Sequence, residues 1–220
     1  MATAFDAEAE GALGVGVTTG SFTHTPVGTP SIVFVCIEDQ NLLGISAPTY
    51  GGNTMTLITS PADPVVTVGY IYYLANPPAG AQTVGLTRAS GVDNLWAYSL
   101  TYTGTATSGI PDASTTGSGT AASLTGTLTT IADNAWTLLV CYMDNAGIAA
   151  GTGSTQRGTT QGTVSAVFDS NGALTPPGSK SMSVTASSGS NFNYVMVSFG
   201  PAGAAQGTIT HNLSLLGVGN

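Results

Sequence analysis

Ile32-Val33-Phe34-Val35-Cys36-Ile37 and Val65-Val66-Thr67-Val68-Gly69-Tyr70-Ile71-Tyr72-Tyr73-Leu74 decide the fold. Both are continuous runs of β-branched and aromatic residues, which reads as strands buried on both faces or nearly so. Similar short runs follow at 55–59, 83–87, 95–103, 124–131, 136–143, 163–168, 181–186, 192–199 and 208–215. Turn chemistry separates them: Tyr50-Gly51-Gly52-Asn53, Asn76-Pro77-Pro78, Asp133-Asn134, Asn171-Gly172 and Pro176-Pro177-Gly178. No stretch sustains a 3.6-residue apolar period with caps. The expectation is an all-β protein, an antiparallel β-sandwich of jelly-roll or Greek-key type with extended terminal arms.

Residues 1–20 are rich in Ala, Gly and acid and read as an amino-terminal arm, 21–200 as the sandwich, and 201–220 as a carboxy-terminal arm or strand. Residues 103–122, rich in Thr, Ser and Gly, read as a long polar loop. The amino terminus carries Asp6, Glu8 and Glu10 where a secretory signal needs Lys or Arg before an apolar run. It is not a signal peptide, so the chain is expected to be made in the host cytoplasm and to work without export by that route.

Charge limits the partners. Arg88, Arg157 and Lys180 are the three basic side chains among 220 residues, against 11 Asp and Glu, and charged residues make up 6% of the chain. Binding a phosphate backbone or an anionic membrane requires several Lys or Arg, so neither is an expected partner. No apolar run approaches the roughly 20 residues that span a bilayer. A surface wetted by hydroxyls and backbone has little charge repulsion between copies, which suits packing into an assembly.

The candidates for chemistry are few. His24 and His211 each alternate with Thr, and no Gly-x-Ser-x-Gly elbow is present. Glu38 and Asp39 are adjacent on a strand and point to opposite faces, so they cannot converge on one bond. Asp144-Asn145-Ala146-Gly147 and Asp169-Ser170-Asn171-Gly172 offer oxygen ligands, but turn formation explains both. No catalytic residue, cofactor or metal site is expected, and an enzyme is the least favoured class. Cys36 and Cys141 read as buried thiols, with a bridge between sheets left open. Trp96 and Trp136 are the candidates for an aromatic platform that binds glycan, weighed against a place in the core.

The phrases TYGGNTMTLI, YIYYLANPPAGAQTVGLT, DNAWTLLVCYMDNAGIAAGTGSTQRG and VFDSNGALTPPGSKSMSVT resemble a β-sandwich family found in bacteriophage virion proteins and in some large bacterial surface proteins. The resemblance covers residues 33–199. It implies a structural module at a virion or cell surface, with no catalytic residue to carry over. The expected function is therefore a structural virion protein: a capsid decoration or cement protein, or another surface or tail component. Its expected partners are copies of itself, a trimer among the forms considered, and a major capsid or other virion protein. Contacts are expected from the arms, through Phe5, Leu13, Val15 and Val17 at one end and Leu213, Leu215 and Leu216 at the other. The alternatives are a glycan-binding adhesin module of a tail fibre or cell surface, and a self-assembling extracellular filament or surface-layer subunit.

Overall fold

The computed structural model describes residues 1–40, 44–60, 67–144, 147–161 and 164–203. The chain is all-β and antiparallel, with no helix among the described residues. Nine strands come first: β1 (Ala4–Leu13), β2 (Thr19–His24), β3 (Ile32–Gln40), β4 (Thr49–Tyr50), β5 (Asn53–Thr54), β6 (Thr56–Thr59), β7 (Thr67–Ala75), β8 (Gln82–Thr87) and β9 (Leu95–Thr103). Six follow: β10 (Ala113–Thr130), β11 (Trp136–Met143), β12 (Ala149–Ala150), β13 (Thr155–Gln161), β14 (Ser165–Asp169) and β15 (Gly178–Phe199).

The sheet orders show a duplication. The first set forms a sheet β1-β9-β3-β7-β6, and the second forms β10-β15-β11-β14-β13. Reading across, β10 takes the place of β1, β15 of β9, β11 of β3, β14 of β7 and β13 of β6. In the first repeat, β2-β8-β4-β5 makes a separate outer sheet. In the second, β10 and β15 are long enough to serve both layers. Their register shifts between Ala121 and Ser123, and beyond it Leu124–Thr130 pairs with residues 178–184. That far ribbon, with β12 paired at Val184 and Thr185, covers the outer face as the β2-β8-β4 ladder does in the first repeat.

Each repeat closes its own core. Val33, Val35, Ile37, Tyr72 and Leu95 meet Tyr50, Val84 and Leu86 in the first, while Leu139, Cys141, Phe168 and Met196 meet Leu124, Leu128, Met182 and Val184 in the second. The third and central core joins the repeats. Ile32, Phe34, Cys36, Ile71, Tyr98, Leu100 and Tyr102 pack on Trp136, Leu138, Val140, Val167, Val195, Val197 and Phe199. Ladder partners match these residues one to one: Ile32 pairs with Tyr102 as Trp136 pairs with Phe199. The same face of each repeat is therefore used, the signature of an isologous, two-fold-like contact within one chain. The equivalent rings of Tyr102 and Phe199 touch at a centroid separation of 4.9 Å.

A repeated staple supports the equivalence. Asp6, at the register shift in β1, accepts hydrogen bonds from Gly28 N (2.6 Å) and Thr101 Oγ1 (2.9 Å). Asp112, just ahead of β10, accepts them from Ile131 N (2.8 Å), Ala132 N (2.9 Å) and Ser198 Oγ (3.1 Å). In both repeats one carboxylate ties the start of the first strand to the loop after the outer strand and to a hydroxyl on the last strand. Charged acceptors make such bonds stronger than neutral ones. Asp6→Ala and Asp112→Ala should each cost about 1–3 kcal/mol in urea unfolding, because backbone N–H groups lose their partner. A cost within 0.5 kcal/mol in both would remove the staple from the account.

Three sequence expectations change. The segment 1–20 is not an arm outside the domain: Ala4–Leu13 is strand β1 of the central sheet, paired with β9, and Thr19–His24 is strand β2. The polar stretch 103–122 is not a loop throughout, since β10 occupies it from Ala113 onward. The single sandwich at 21–200 is replaced by two repeats packed face to face. The cysteines are both buried free thiols, Cys36 in the central core and Cys141 in the second repeat's own core, so no bridge links them.

Candidate functional site: an end with paired clefts

The expected contact and platform residues are spread over different environments. Leu13 is buried in the first repeat's core and so is not an outward contact, while Phe5 is half-buried and packs against the central core. The reason is that β1 is a sheet strand and its apolar side chains face inward. Val15 and Val17 are 65% and 41% exposed in the β1–β2 turn, which sits on the β8–β9 loop through Gly16 N to Gly91 O at 2.6 Å. Exposed Val92 belongs to that β8–β9 loop. Leu213, Leu215 and Leu216, and the strand expected at 208–215, fall outside the described residues. Trp96 and Trp136 are 7% and 6% exposed, so neither ring offers its face to a glycan. Trp136 meets Tyr102 edge to face, and Trp96 stacks on Tyr142, both across the junction between repeats.

Buried polar groups are concentrated in the first repeat and along the junction. His24 Nδ1 lies 2.7 Å from Ser99 Oγ, and His24 Nε2 lies 3.2 Å from Thr101 Oγ1, which donates to Asp6. The order Ser, His, Thr, Asp resembles a proton relay. Ser99 and His24 are fully buried between the two sheets, however, so no substrate atom reaches Ser99. Thr101 gives its proton to Asp6, so it accepts from Nε2–H, and Nδ1 accepts from Ser99. Neutral imidazole satisfies all three bonds.

Burial pushes the His24 pKa down to about 4, with Asp6 opposing. Glu8 has the opposite shift: burial, and then Glu10, raise it to about 7. For His24 the unfolded chain binds the extra proton, so its contribution to stability is complete above pH 6.5 and lost as pH falls toward 4. For Glu8 the folded chain binds it, so that contribution is complete below pH 4.5 and lost as pH rises through 7. The two slopes oppose each other. His24→Asn should remove the loss of stability on acidification between pH 6.5 and 4, and Glu8→Gln the loss on raising pH from 4.5 to 7. Urea midpoints against pH read both effects, and parallel profiles for wild type and either variant would refute that assignment.

Two of the three bases are used inside the chain. Arg88 and Asp39 are buried as a pair 3.6 Å apart, and Arg88 also donates to Val17 O and Gly14 O at 2.9 Å each, holding the β1–β2 turn. Arg157 donates to Asp169 Oδ2 at 2.8 Å and to Asn171 Oδ1 at 2.7 Å, and lies 4.0 Å above the Phe5 ring. Asp169 also accepts from Tyr102 Oη and Asn171 N at 2.9 Å each. Three protein donors, two of them on Oδ2, already hold this carboxylate, so the 169–172 turn is not a free calcium ligand set. Among the described residues no three His, Cys, Asp or Glu side chains are placed to share a metal ion. Glu38 is fully buried beside Gly69, both oxygens lack a hydrogen-bond partner, and burial followed by Asp39 raises its pKa well above the carboxylate range. Burial there favours its neutral, protonated form.

Two clefts lie side by side at one end of the molecule. A cleft of about 710 Å³ is lined by Thr29, Pro30, Ser31 and Asn76 of the first repeat and by 103–108. A second, of about 670 Å³, is lined by Ile131, Asp133, Asn134, Ala173 and Pro177 of the second repeat. The linings correspond: residues just before β3 and just after β7 in one, just before β11 and just after β14 in the other. Met1, Ala202 and Gly203 line both. Exposed Met1 and Ile131 add apolar surface there, and Val27 is exposed in the loop that Asp6 staples. No protein-family model and no curated protein matches the chain. The site is thus characterised by its geometry: concave, doubled by the internal repeat, and lined by small apolar and hydroxyl residues, with Asp133 the charged side chain among the described linings. One sign of that doubling is legible in the sequence, the paired turns Asn76-Pro77-Pro78 and Thr175-Pro176-Pro177.

Proposed function

We propose that this chain is a structural protein of a bacteriophage virion surface, a capsid decoration or cement subunit or a related surface or tail component, that works by assembling with protein. The observation that carries this reading is the doubled cleft, lined by small apolar and hydroxyl residues, at one end of a molecule in which charged residues are scarce. Arg88 and Arg157 are consumed by in-chain acids, which leaves Lys180 as the base available on the described surface. Hydroxyl ladders on the outer ribbon, Thr125 with Ser183 (3.0 Å) and Thr127 with Ser181 (2.8 Å), continue the uncharged character. Such surfaces approach a protein neighbour with a small desolvation penalty.

Immunogold electron microscopy with an antibody to this chain tests the setting. Regular label on intact particles is expected; the protein in the lysate without label on particles would sink the virion reading. A self-assembling filament or surface-layer subunit is the second reading, supported by the same clefts. Ordered fibres or sheets grown from the pure protein alone would favour it over the first.

A further inference from the structure

The sheet edges of this molecule differ in how open they are to a further strand. Charges, bulges and short length keep a strand edge from pairing, and the inner edges carry them. β1 has Asp6, Glu8 and Glu10 and a register shift after Phe5, and β6 shifts register within its four residues. β13 has Arg157, a register shift and Gly158 at a φ of 72°, and the inner half of β10 has Gly117 and Gly119 set against aromatic rings. On one side of the outer layers, β5 and β12 are two residues each. The other side of each outer layer is regular and uncharged. There lie β2 in the first repeat and its equivalent in the second, Leu124–Thr130 of β10. Both alternate strictly, with Thr19, Ser21 and Thr23, and Thr125, Thr127 and Thr129, exposed and the residues between them turned inward. Neither contains Asp, Glu, Lys, Arg or Pro, His24 is buried, and Lys180 sits on β15, one strand in from the edge. Among the described residues no strand pairs with the free side of either, so alternate N–H and C=O groups along each point outward.

These two edges fit each other. Laid antiparallel with Ser21 opposite Thr127, they set Thr23 against Thr125 and Thr19 against Thr129 on the exposed face. On the inner face Phe22 meets Gly126 and Gly20 meets Leu128, so no two bulky side chains are opposed. Either edge paired with its own copy about Ser21 or Thr127 matches in the same way, and no like charges meet. Thr125 and Thr127 already bond Ser183 and Ser181, so the hydroxyl rows continue across the contact. The outer layers flank the central junction from opposite sides, so one chain cannot join its own edges. We propose that copies of this chain join through β2 and Leu124–Thr130, each outer edge pairing antiparallel with an outer edge of a neighbouring copy. Backbone hydrogen bonds hold the contact, as in strand addition generally. The internal repeat gives each molecule two such edges, so a copy joined at one still offers the other and the copies form a row. This rests on the assembly reading above and deepens it, since it names the partner and the surface.

Cross-linking in the full chain tests it. Cys36 and Cys141 are buried, so a short bismaleimide reads thiols added at exposed positions. Ser21→Cys with Thr127→Cys in one chain should give a ladder of linked dimers, trimers and higher species. The yield should be several times that from Thr54→Cys with Ala173→Cys, which are exposed but away from both edges. A ladder no stronger than this control would overturn edge pairing, and links that stop at dimers would overturn the row. Ser21→Lys with Thr127→Lys puts a charge on each edge without entering either core. Sedimentation should then shift toward a single chain while the urea midpoint stays unchanged, and undiminished association in that variant would count against the edges as the contact. The broader reading fails separately. Regular immunogold label on particles, with no ladder, removes the edges and keeps the virion setting, whereas a ladder without label on particles keeps the edges and removes that setting.

Discussion

Phe34→Ala should lower stability by about 3–5 kcal/mol, with a fall in Tm of roughly 2–4 °C for each kcal/mol in a chain of this size. Phe34 is fully buried in the central core, 4.8 Å from the Phe199 ring centroid and 6.0 Å from that of Tyr102. Removing the ring loses its transfer free energy and opens a cavity that two β-sheets, each tied by its own ladder, cannot readily close. The core it belongs to joins the two repeats. The loss should therefore appear as one shifted transition for the whole chain, read by denaturant unfolding with both tryptophan fluorescence and hydrogen exchange. A cost below 1.5 kcal/mol, or exchange that rises in the first repeat alone, would mean that the repeats are not held together by this face.

Asp169→Ala is the second large effect, expected at about 3–5 kcal/mol because it leaves buried donors unpaired. The carboxylate is fully buried and takes bonds from Arg157, Tyr102 and Asn171. Tyr102 comes from the first repeat and the other three residues from the second, so the cluster is a polar rivet through the junction. Tyr102→Phe removes one donor and leaves Asp169 paired with Arg157, which should cost about 1–3 kcal/mol. The double variant should cost less than the sum of the two, since the shared bond is removed once. The effect should persist in high salt because the partners are shielded from solvent. Additive costs in the cycle would show that the Tyr102 bond contributes nothing.

The strands whose pattern is wholly local are legible from sequence. The expected strands at 95–103 and 136–143 coincide with β9 and β11, and 32–37 lies within β3. Each is a run of large side chains buried on both faces, because each repeat's central sheet is covered by an outer layer on one side and by the other repeat on the opposite side. β1 is harder to read. Its sequence AFDAEAEGAL has acids at alternate positions, and two of them are taken up by contacts distant in the chain: Asp6 by Gly28 and Thr101, and Glu10 by Thr159 N at 2.6 Å and Thr159 Oγ1 at 2.8 Å. The first half of β10 resembles a loop because of its glycines. Gly117 lies under the Tyr194 ring, where a Cβ would sit 2.6 Å from the nearest ring atom, and Gly119 meets the Phe192 ring at 3.0 Å. These glycines make room for a neighbour's aromatic ring and do not mark turns. The site was legible only in its chemistry: the low charge pointed to protein partners, while the clefts depend on loops brought together from both repeats.

Sequence alone determined that this chain is built of antiparallel strands, which segments are central, and that its surface is poor in charge. Side-chain size, β-branching and turn residues act over a few neighbours, so they can be read without a partner. The tertiary structure alone decided the duplication and the side of the sheet each residue serves. Val35-Cys36 and Val140-Cys141 look like the same position in two repeats. Yet Cys36 faces the other repeat and Cys141 faces its own outer ribbon, because the ladders set Phe34 equivalent to Leu138 and displace the apparent match by one residue. A strand alternates its faces every residue, so a one-residue offset exchanges inside for outside, and only the paired strands fix which it is.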